Sequence, residues 1–456
     1  MAILSGPAAR NLRTADNALG VFYMSSTQKI HQIRNKHFIK TSSHYYEEPL
    51  ELVRAQGMYV YDQEGRAYLD GIGGIVCISS GHNHPRIKAK IKSMLDNDEI
   101  QHTSTLYYNN HVADLAQELI ENAPLGLDRV AFTNSGSEAN ELAFLAARQA
   151  TGESFIINLR HSYHGGTSGA LAQCGHSTWR FKAQPVASAT SALEPYCYRC
   201  PFGQKPDSCN LECAQNVEAT IQTSTNGKLA AFIAEPVMGV GGFISPPNEY
   251  FQAVSKIVKN YGGKYISDEV QTGAGRCGSS LFLTSDLGIQ PDIITMAKGL
   301  ANGAPMGAVL MSTELSDSLA GKFYFNTFGG DPYQSAQALM NLQIIKEEKL
   351  IANAQAMGKL LKAGLEDLMK SHVAIGDVRG RGLLLGIELV KDRKSKEPDP
   401  ALTLRVLERC RQQGLLIGKG SLRANVIRLA PPLLIDESQV QKIISIIDYS
   451  LISPTE

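Results

Sequence analysis

The sequence predicts an α/β protein with a large domain on a mostly parallel sheet of the seven-stranded type, followed by a smaller α+β domain. Two observations lead to this fold class. Between about residues 110 and 300, short apolar runs bounded by turn residues alternate with helical patterns, as in parallel sheets covered by helices. After residue 331, the pattern changes to a long helical stretch followed by short strands and further helices.

The first part of the chain predicts an arm and a hairpin. Residues 1–40 are polar and have no clear period, so we expect an irregular arm. Residues 58–61 and 66–69 have the composition of strands and flank a turn at 62–65, which predicts a small β-hairpin. A turn at 81–85 should then lead into a helix.

The predicted parallel sheet follows from short apolar runs. A helix rich in alanine and leucine should follow the first of its strands and end near Thr151. The strands that we predict are 129–133, 155–157, 230–234, 265–267 and 293–296.

The last part of the chain predicts a smaller domain. The helical stretch should run through Met369. Beyond it we expect strands at 383–390 and 426–429, and helices near 401–413 and 436–450. The sequence therefore predicts three parts, which are an N-terminal arm and hairpin at 1–75 that belong to the small domain, a large domain at 76–330 and a small C-terminal domain at 331–456.

The composition excludes several classes of partner. The 456 residues carry 44 basic and 44 acidic side chains, so no basic surface for nucleic acid or membrane is expected. No apolar run is long enough to span a bilayer. The first residues include Arg10, Arg13 and Asp16 without an apolar core, which argues against a secretory signal. With eight cysteines and no such signal, we expect reduced thiols and a cytoplasmic protein, with an organelle matrix as the alternative.

A carboxylate and an amine follow two of the predicted strands. Asp268 comes at the end of the strand around residue 266, and Lys298 follows the strand at 293–296. Open α/β sheets place their ligands at the carboxyl ends of parallel strands. An amine there can form a Schiff base with pyridoxal phosphate, and a carboxylate can keep the ring nitrogen of that cofactor protonated.

A glycine-rich loop at 273–278 matches the spacing of a dinucleotide fingerprint. That fingerprint must open a helix, and here it leads into residues 279–282 without a helical period. We therefore reject a dinucleotide site and interpret these glycines as positions of close backbone approach.

Other candidate residues also follow strands. Gly136 and Ser137 lie at a predicted helix start, where backbone N–H groups can bind a phosphate, although an ordinary helix cap would give the same pattern. Tyr163 could stack on a flat cofactor or simply pack. Glu235 ends a strand and is expected to point to the same crevice, although a helix cap or a surface carboxylate is the default interpretation. Thr327 offers a hydroxyl beside two glycines.

Four cysteines stand apart in a polar insertion. Cys197, Cys200, Cys209 and Cys213 have the spacing C-x2-C-x8-C-x3-C, which resembles a structural zinc site. The alternative is a loop with free thiols. We predict no metal.

Taken together, the motifs resemble those of the class III, or ω-type, aminotransferases, which are pyridoxal-phosphate enzymes of fold type I. The resemblance extends from about residue 45 to residue 451, and is greatest to the branch with the alanine–glyoxylate and β-alanine–pyruvate enzymes. The runs that carry it are 68–70, 81–85, 134–140, 163–165, 235–237, 268–273 and 297–299.

The resemblance implies a role for each matching residue. Lys298 would be the Schiff-base lysine and proton shuttle, and Asp268 the partner of the pyridinium nitrogen. Thr327 would contact the cofactor of a partner subunit, which implies a homodimer with shared sites or a tetramer. The other expected cofactor contacts are Gly136 and Ser137 at the phosphate, Tyr163 on the ring, Gln271 at the ring hydroxyl, and His164, Glu235 and Val270 around them.

A substrate switch is also implied. Arg428 resembles the family's switching arginine and Glu235 its carboxylate partner. We expect Arg428 to pair with Glu235 when an ω-amine is bound, and to move onto the carboxylate of a keto acid. A permanent structural salt bridge between the two is the alternative. The loop departs from the family pattern at Ala274 and Cys277, which leaves the side-chain contacts of that loop open.

The predicted activity is transfer of an amino group from an amino acid or ω-amine to pyruvate, glyoxylate or 2-oxoglutarate. Two alternatives remain. The first is a lyase on the same scaffold that eliminates phosphate and ammonia from a phosphorylated amino alcohol. The second is a catalytically silent binding protein, and the retention of Lys298 and Asp268 argues against it.

Overall fold

A computed structural model describes residues 25–41, 44–183 and 188–452. The chain divides into two compact units, residues 1–52 and 53–456. The three-part division expected from the sequence stays a prediction. Arg10, Arg13 and Asp16, on which the argument about a secretory signal depends, lie outside the described residues.

The described residues form thirteen α-helices and sixteen β-strands, joined by turns and short 3-10 helices. The helices are α1 Ser26–His37, α2 Gly73–Val76, α3 Pro85–Asp96, α4 Asn110–Glu121, α5 Gly136–Thr151, α6 Ser168–Ala172, α7 Glu212–Ser224, α8 Asn248–Asn260, α9 Thr313–Asp317, α10 Pro332–Glu347, α11 Leu350–Ser371, α12 Pro400–Gln412 and α13 Glu437–Leu451. The strands are β1 Leu52–Gln56, β2 Tyr59–Asp62, β3 Ala67–Asp70, β4 Arg129–Thr133, β5 Ile156–Leu159, β6 Ala189–Ala192, β7 Ala231–Ala234, β8 Lys264–Asp268, β9 Ile293–Met296, β10 Gly307–Met311, β11 Ile375–Arg381, β12 Leu384–Asp392, β13 Glu397–Pro398, β14 Leu415–Leu416, β15 Gly418–Gly420 and β16 Val426–Leu429.

The N-terminal unit contains helix α1, where the sequence predicted an irregular arm. Ser25 caps this helix by accepting from the backbone N–H of Gln28, and the Gln28 side chain accepts from the Ser25 backbone in return. Such a capping box satisfies two helix-end donors and favours a helix start. None of the α1 residues is buried, which is why no apolar period was visible in the sequence.

The central sheet has seven strands in the order β4-β10-β9-β8-β7-β5-β6. Strands β9, β8, β7, β5 and β6 pair in parallel, and β10 runs antiparallel to both of its neighbours. The sequence prediction of a mostly parallel sheet of seven strands is therefore confirmed. Two of its strands, β6 and β10, had not been identified individually.

The central sheet is buried on both faces by helices. Ile156, Ile233 and Ile266 contact the alanine-rich side of α5 on one face. Phe232 and Tyr265 point to the other face, toward α7 and α8. Full burial of one such apolar side chain contributes about 2–3 kcal/mol to folding. Because both faces are covered, the ends of the strands are where a ligand can reach the sheet.

Two further sheets contain the predicted hairpin and the strands near the C-terminus. The hairpin strands β2 and β3 are antiparallel, and β3 pairs in parallel with β14, so the hairpin joins a sheet with a C-terminal strand. Strands β11, β12, β16 and β15 form a second antiparallel array that carries Arg428 in β16. Strand β11 was missing from the prediction, and the predicted long helix is two helices, α10 and α11.

None of the helices in the described part of the chain is long and apolar enough to cross a membrane.

Candidate active site

The carboxyl ends of the parallel strands open onto a cavity of about 350 Å³, a volume typical of small-ligand sites. Strand β10 enters the sheet at the same edge, after the loop 303–306. Nine of the predicted residues line this cavity: Gly136, Ser137, Tyr163, His164, Glu235, Asp268, Val270, Gln271 and Lys298. Thr327 and Arg428 are the two predicted site residues that do not.

Asp268 ends strand β8 and points its carboxylate into the cavity. Its Oδ2 accepts a hydrogen bond of 2.7 Å from His164 Nδ1 and one of 2.9 Å from Asn140 Nδ2. Its Oδ1 accepts from the backbone N–H of Val270 at 3.1 Å. Three donors from three different segments therefore fix the orientation of this carboxylate.

Asn140 was not assigned a role from the sequence, although it lies at the centre of these contacts. It stands on α5, four residues and about one turn after Gly136. Its Nδ2 donates to Asp268 and to the His164 carbonyl, and its Oδ1 accepts from Thr295 Oγ1 at 2.8 Å. Thr295 lies directly opposite Asp268 on the neighbouring strand β9. The one-turn spacing after Gly136 was the signal in the sequence that could have identified Asn140.

Lys298 begins a 3-10 turn directly after β9 and lines the cavity. Its φ of +44° is in the left-handed region, which non-glycine residues adopt only where the surrounding structure holds them. Asn341 provides such support by donating to the carbonyls of Gly299 and Leu300 at 2.8 and 2.9 Å. Burial lowers the pKa of Lys298. Its Nζ has no hydrogen-bond or ion-pair partner within the described ranges, so the amine is available to a ligand.

The start of helix α5 lines the same cavity as Lys298. Ser135 caps the helix by accepting from the Glu138 N–H at 3.3 Å. The N–H groups of Gly136 and Ser137 have no acceptor among the residues that the structure describes, as expected for the first turn of a helix. Two free N–H groups at a helix start favour an anion. Ser137 Oγ also accepts from the Gly166 N–H at 3.0 Å.

Glycines permit this close packing around α5. A Cβ on Gly136 would lie 2.8 Å from Val270 Cγ2. A Cβ on Gly165, whose φ is +134°, would lie 2.5 Å from Ser137 Oγ. Such distances are shorter than real side chains tolerate, so both positions require glycine in this arrangement.

Tyr163 lines the cavity and is half-buried. Its backbone N–H donates to Glu235 Oε1 at 3.0 Å. Its ring centre lies 4.7 Å from that of Trp179, with the ring planes tilted by 51°. Trp179 was not identified from the sequence, and the contact supports one side of the tyrosine ring.

Glu235 is buried, and both of its carboxylate oxygens accept from the backbone. The Tyr163 N–H donates to Oε1 and the Gly239 N–H donates to Oε2 at 2.8 Å. Burial nevertheless raises the pKa of Glu235 to about 7. Among the described residues this carboxyl group has no ion-pair partner within 4.0 Å, so the expected pair with Arg428 is not present in this structure.

Arg428 instead contacts Gln271. Its Nη2 donates to Gln271 Oε1 at 2.8 Å, and its guanidinium carbon lies 4.5 Å from the centre of the Phe243 ring. The permanent salt bridge between Arg428 and Glu235, which was the alternative to the switch, is not formed in this structure, and each Glu235 oxygen accepts from a backbone N–H group instead. The swing of Arg428 onto a keto acid stays a prediction.

Thr327 is exposed and lies outside the residues that line the cavity. Large apolar side chains on two segments, 104–108 and 323–328, are also exposed. They are Leu106, Tyr107, Tyr108, Phe323, Tyr324, Phe325 and Phe328.

The four cysteines of the polar insertion line one small cavity of about 30 Å³. Their thiols are all free, and burial raises the pKa of Cys213 to about 12. Within the described ranges, no three His, Cys, Asp or Glu side chains are arranged to hold a metal ion. The absence of a metal from the protein stays a prediction.

A family model described as aminotransferase class-III matches residues 41–451. The chain belongs to the class-III aminotransferase family. Members of this family move amino groups between amino donors and keto acids with pyridoxal phosphate, so this chain is a pyridoxal-phosphate-dependent aminotransferase. The resemblance found in the sequence, including fold type I, is confirmed.

Individual relatives cover almost the whole chain. Alanine–glyoxylate aminotransferase 2 homolog 2, mitochondrial, of Arabidopsis thaliana is 39% identical over 92% of this chain and 86% of the relative. Ethanolamine-phosphate phospho-lyase homolog 1 of Caenorhabditis elegans is 33% identical over 96% of this chain and 99% of the relative. The crystal structure of an (S)-enantioselective omega-transaminase from Thermomicrobium roseum has a TM-score of 0.86 and 32% identity, covering 94% of this chain and 99% of the other.

The cavity residues fit the family's cofactor. The unpaired N–H groups of Gly136 and Ser137 suit a phosphate, and the fixed Asp268 carboxylate suits a protonated ring nitrogen. The Lys298 amine, which has no partner in the described structure and a lowered pKa, suits an aldehyde. These three groups point into one cavity.

Proposed function

We propose that this aminotransferase moves an amino group from an amino acid or ω-amine donor to pyruvate, glyoxylate or 2-oxoglutarate in two alternating half-reactions. The observation that carries the proposal is that the Lys298 amine and the Asp268 carboxylate line one cavity, with free helix-start N–H groups beside them. An amine, a carboxylate and an anion site in this arrangement are what amino-group transfer on pyridoxal phosphate requires.

Each of these residues has a distinct role in the proposal. Bound pyridoxal phosphate supplies an aldehyde that exchanges amino groups and a ring that accepts electrons. Lys298 would hold the cofactor, and its Nζ would move the proton at the amino-bearing carbon of the substrate. Asp268, fixed by His164 and Asn140, would hold the proton on the ring nitrogen. Gly136 and Ser137 would bind the phosphate.

The remaining cavity residues would position the ring and the substrate. Tyr163, supported by Trp179, would lie against the ring. Gln271 would reach the ring hydroxyl, and Val270 and Glu235 would complete the walls around it. Arg428 would bind a substrate carboxylate.

The decisive experiment supplies amino donors without a keto acid. The purified protein with its cofactor should convert one equivalent of donor and stop, with pyridoxal phosphate changed to its amine form. Adding pyruvate, glyoxylate or 2-oxoglutarate should restart turnover, and a panel of donors against these acceptors would identify the physiological pair. Continued turnover without a keto acid would refute amino-group transfer.

A lyase on the same scaffold is the second candidate. The nematode relative named as a phospho-lyase homolog matches 96% of this chain and favours this alternative. Phosphoethanolamine in the same assay separates the two, because elimination releases ammonia and phosphate without a keto acid. We infer amino-group transfer as the main activity because the Arabidopsis relative, named as an aminotransferase, is more similar, at 39% against 33% identity.

We also propose that the enzyme is a homodimer with shared active sites. The exposed apolar side chains at 104–108 and 323–328 support this, because exposed groups of large apolar side chains are typical of protein–protein interfaces, and the second segment contains Thr327. A tetramer made of two such dimers is the alternative assembly, and sedimentation distinguishes it from the dimer.

For its location we propose the cytoplasm, with an organelle matrix as the alternative. The Arabidopsis relative is named as a mitochondrial protein, which favours that alternative. Cell fractionation with an antibody to the chain distinguishes the two.

A further inference from the structure

The start of helix α5 carries an acidic residue beside the proposed phosphate site. Glu138 directly follows Gly136 and Ser137 in the first turn of the helix. Of the described residues that line the cavity, four consecutive ones at 134–137 come from this end of the helix, and Glu138 is not one of them. A carboxylate that turned toward the cavity here would repel a bound phosphate. The orientation of Glu138 therefore matters for anion binding.

Two donors hold the Glu138 carboxylate. Its Oε2 accepts from the Asn134 backbone N–H at 2.7 Å and from Asn326 Nδ2 at 3.1 Å. The first bond is local and has the character of a helix cap, in which a side chain of the first turn reaches back to a preceding N–H group. The second comes from a residue 188 positions along the chain, so local helix structure does not account for it.

Asn326 uses both ends of its amide at this helix start. An ionised carboxylate can only accept hydrogen bonds, so the amide nitrogen is the end that faces Glu138. The Asn326 Oδ1 atom accepts from Asn134 Nδ2, which lies 2.7 Å away. Asn134 lines the cavity, so one side chain contacts both the cavity wall and the carboxylate outside it.

The backbone that carries Asn326 is packed against the central sheet. The Gly329 N–H donates to the Asn326 carbonyl at 3.1 Å. A Cβ on Gly329 would lie 2.4 Å from the carbonyl oxygen of Phe132 in strand β4, so this close approach requires glycine. Asn326 is therefore presented to α5 from a turn that lies against β4.

We propose that Asn326 is a positioning residue for the phosphate end of the cofactor site, where it keeps the Glu138 carboxylate outside the cavity. The inference deepens the function proposed above, since it rests on phosphate binding by the Gly136 and Ser137 N–H groups. With both donors in place, the Glu138 carboxylate does not compete with a phosphate for those groups. Without the Asn326 donor, Glu138 would keep one hydrogen bond and would be able to rotate toward the phosphate.

Substitutions at both residues separate this role from packing. Asn326→Asp keeps the size of the side chain and the acceptor for Asn134, and it replaces the donor by a carboxylate oxygen that repels Glu138. Adding Glu138→Gln exchanges the amide and the carboxylate between the two positions and restores the total charge, so a donor again faces an acceptor. Asn326→Ala removes the donor without adding charge.

The test compares two aldehydes that differ in the phosphate group. Pyridoxal phosphate and pyridoxal both offer an aldehyde to Lys298, so the ratio of their dissociation constants measures what the phosphate contributes. The full-length enzyme is freed of cofactor and titrated with each aldehyde, and the visible absorbance reports binding. Melting temperatures show whether each variant is folded.

The phosphate contribution should fall when the Asn326 donor is lost. Asn326→Asp should weaken binding of pyridoxal phosphate by at least about tenfold and that of pyridoxal by less than about threefold. Asn326→Ala should show a smaller loss in the same direction, which keeps the test possible even if Asn326→Asp does not fold. The double variant with Glu138→Gln should bind pyridoxal phosphate more tightly than Asn326→Asp alone. Asn122→Asp is the matched control and should behave as the wild type, since Asn122 Nδ2 also donates to a glutamate, Glu118, at 3.1 Å, but at the end of helix α4.

Three outcomes would overturn the proposal. The first is wild-type binding of pyridoxal phosphate by Asn326→Asp, because the phosphate site would then not depend on residue 326. The second is an equal loss for both aldehydes, because the substitution would then disturb the whole site. The third is a double variant that binds no better than Asn326→Asp, because the loss would then not act through Glu138. Failure of the proposed function would appear separately, as a wild type that binds the two aldehydes equally or converts no donor.

Discussion

His164 Nδ1 and Asp268 Oδ2 are 2.7 Å apart, and both side chains are shielded from solvent. The histidine follows strand β5 and the aspartate ends strand β8, so this hydrogen bond ties two strand ends of the sheet together. A buried carboxylate that is held in one orientation needs no rearrangement when a charged ligand group is placed against it.

Asp268→Asn should fold normally and lose turnover by a factor on the order of 10², because one preorganised charge is removed from a buried site. Steady-state kinetics with cofactor in excess measure the loss. Asp292→Asn is the matched control, since Asp292 accepts from the Tyr265 N–H at the opposite end of β8. Near-normal kinetics in Asp268→Asn would exclude the proposed role.

Asn140→Leu should lower turnover by about tenfold, the effect of one lost hydrogen bond to a charged group. Asn140→Asp should be worse than Asn140→Leu, because it places a second carboxylate against Asp268 Oδ2. In both variants, the visible absorbance of the bound cofactor should also depend on pH differently from that of the wild type. If the two variants behave alike and match the wild type, Asn140 has no part in holding Asp268.

Lys298 should carry the cofactor. Borohydride reduction of the holoenzyme should attach pyridoxal phosphate to the peptide that contains this residue, as peptide mapping would show. Lys298→Ala should lower turnover by about 10²–10⁴-fold, the contribution of a positioned acid–base group. Lys264→Ala, at the amino end of β8, is the control and should retain activity. Attachment to another lysine would contradict the assignment.

The buried Glu235 carboxyl group should make the free energy of unfolding decrease as the pH rises from about 4.5 to about 7. Its pKa is raised from 4.5 to about 7 in the folded chain, so it favours folding below pH 4.5 and this contribution is lost as the pH approaches about 7. A shift of this size corresponds to about 3 kcal/mol. Between pH 5 and 8, the melting temperature of the apoenzyme should depend less on pH in Glu235→Gln than in the wild type. Parallel curves would show that Glu235 does not titrate in this range.

A shared active site predicts complementation between inactive chains. Thr327→Ala and Lys298→Ala should each be impaired alone, and a mixture that exchanges subunits should recover up to about a quarter of the sites, because each mixed dimer has one intact site. Sedimentation measures the assembly and kinetics the recovery. A fully active monomer would rule out the shared site.

Much of the fold could be predicted because its strands are short apolar runs that end in turn residues. Strands β4, β9 and β16 have the predicted bounds, and Asp268 and Lys298 lie at strand ends as expected. Helix α1 was missed because it has no buried face and depends on the cap at Ser25. Sequence periodicity reports burial, so it cannot detect such an element.

The site could be predicted only in part, because side-chain partners depend on distances between segments far apart in the chain. Asn140 and Asp268 are separated by 128 positions, and their hydrogen bond exists only because α5 lies over β8. The contact between Arg428 and Gln271 spans 157 positions. Resemblance suggested a carboxylate partner for the arginine, and the backbone donors that occupy Glu235 were not visible in the sequence.

The glycines packed around α5 also limit how this enzyme could be engineered. A mutant library that aims at new amines should leave residues 136 and 165 unchanged, because any side chain there would collide with Val270 or Ser137. Variants with any other amino acid at residue 136 or 165 could not keep the start of α5 in place, so screening them would yield no useful enzymes. Diversity is better placed at Cys77, a half-buried residue that lines the same cavity.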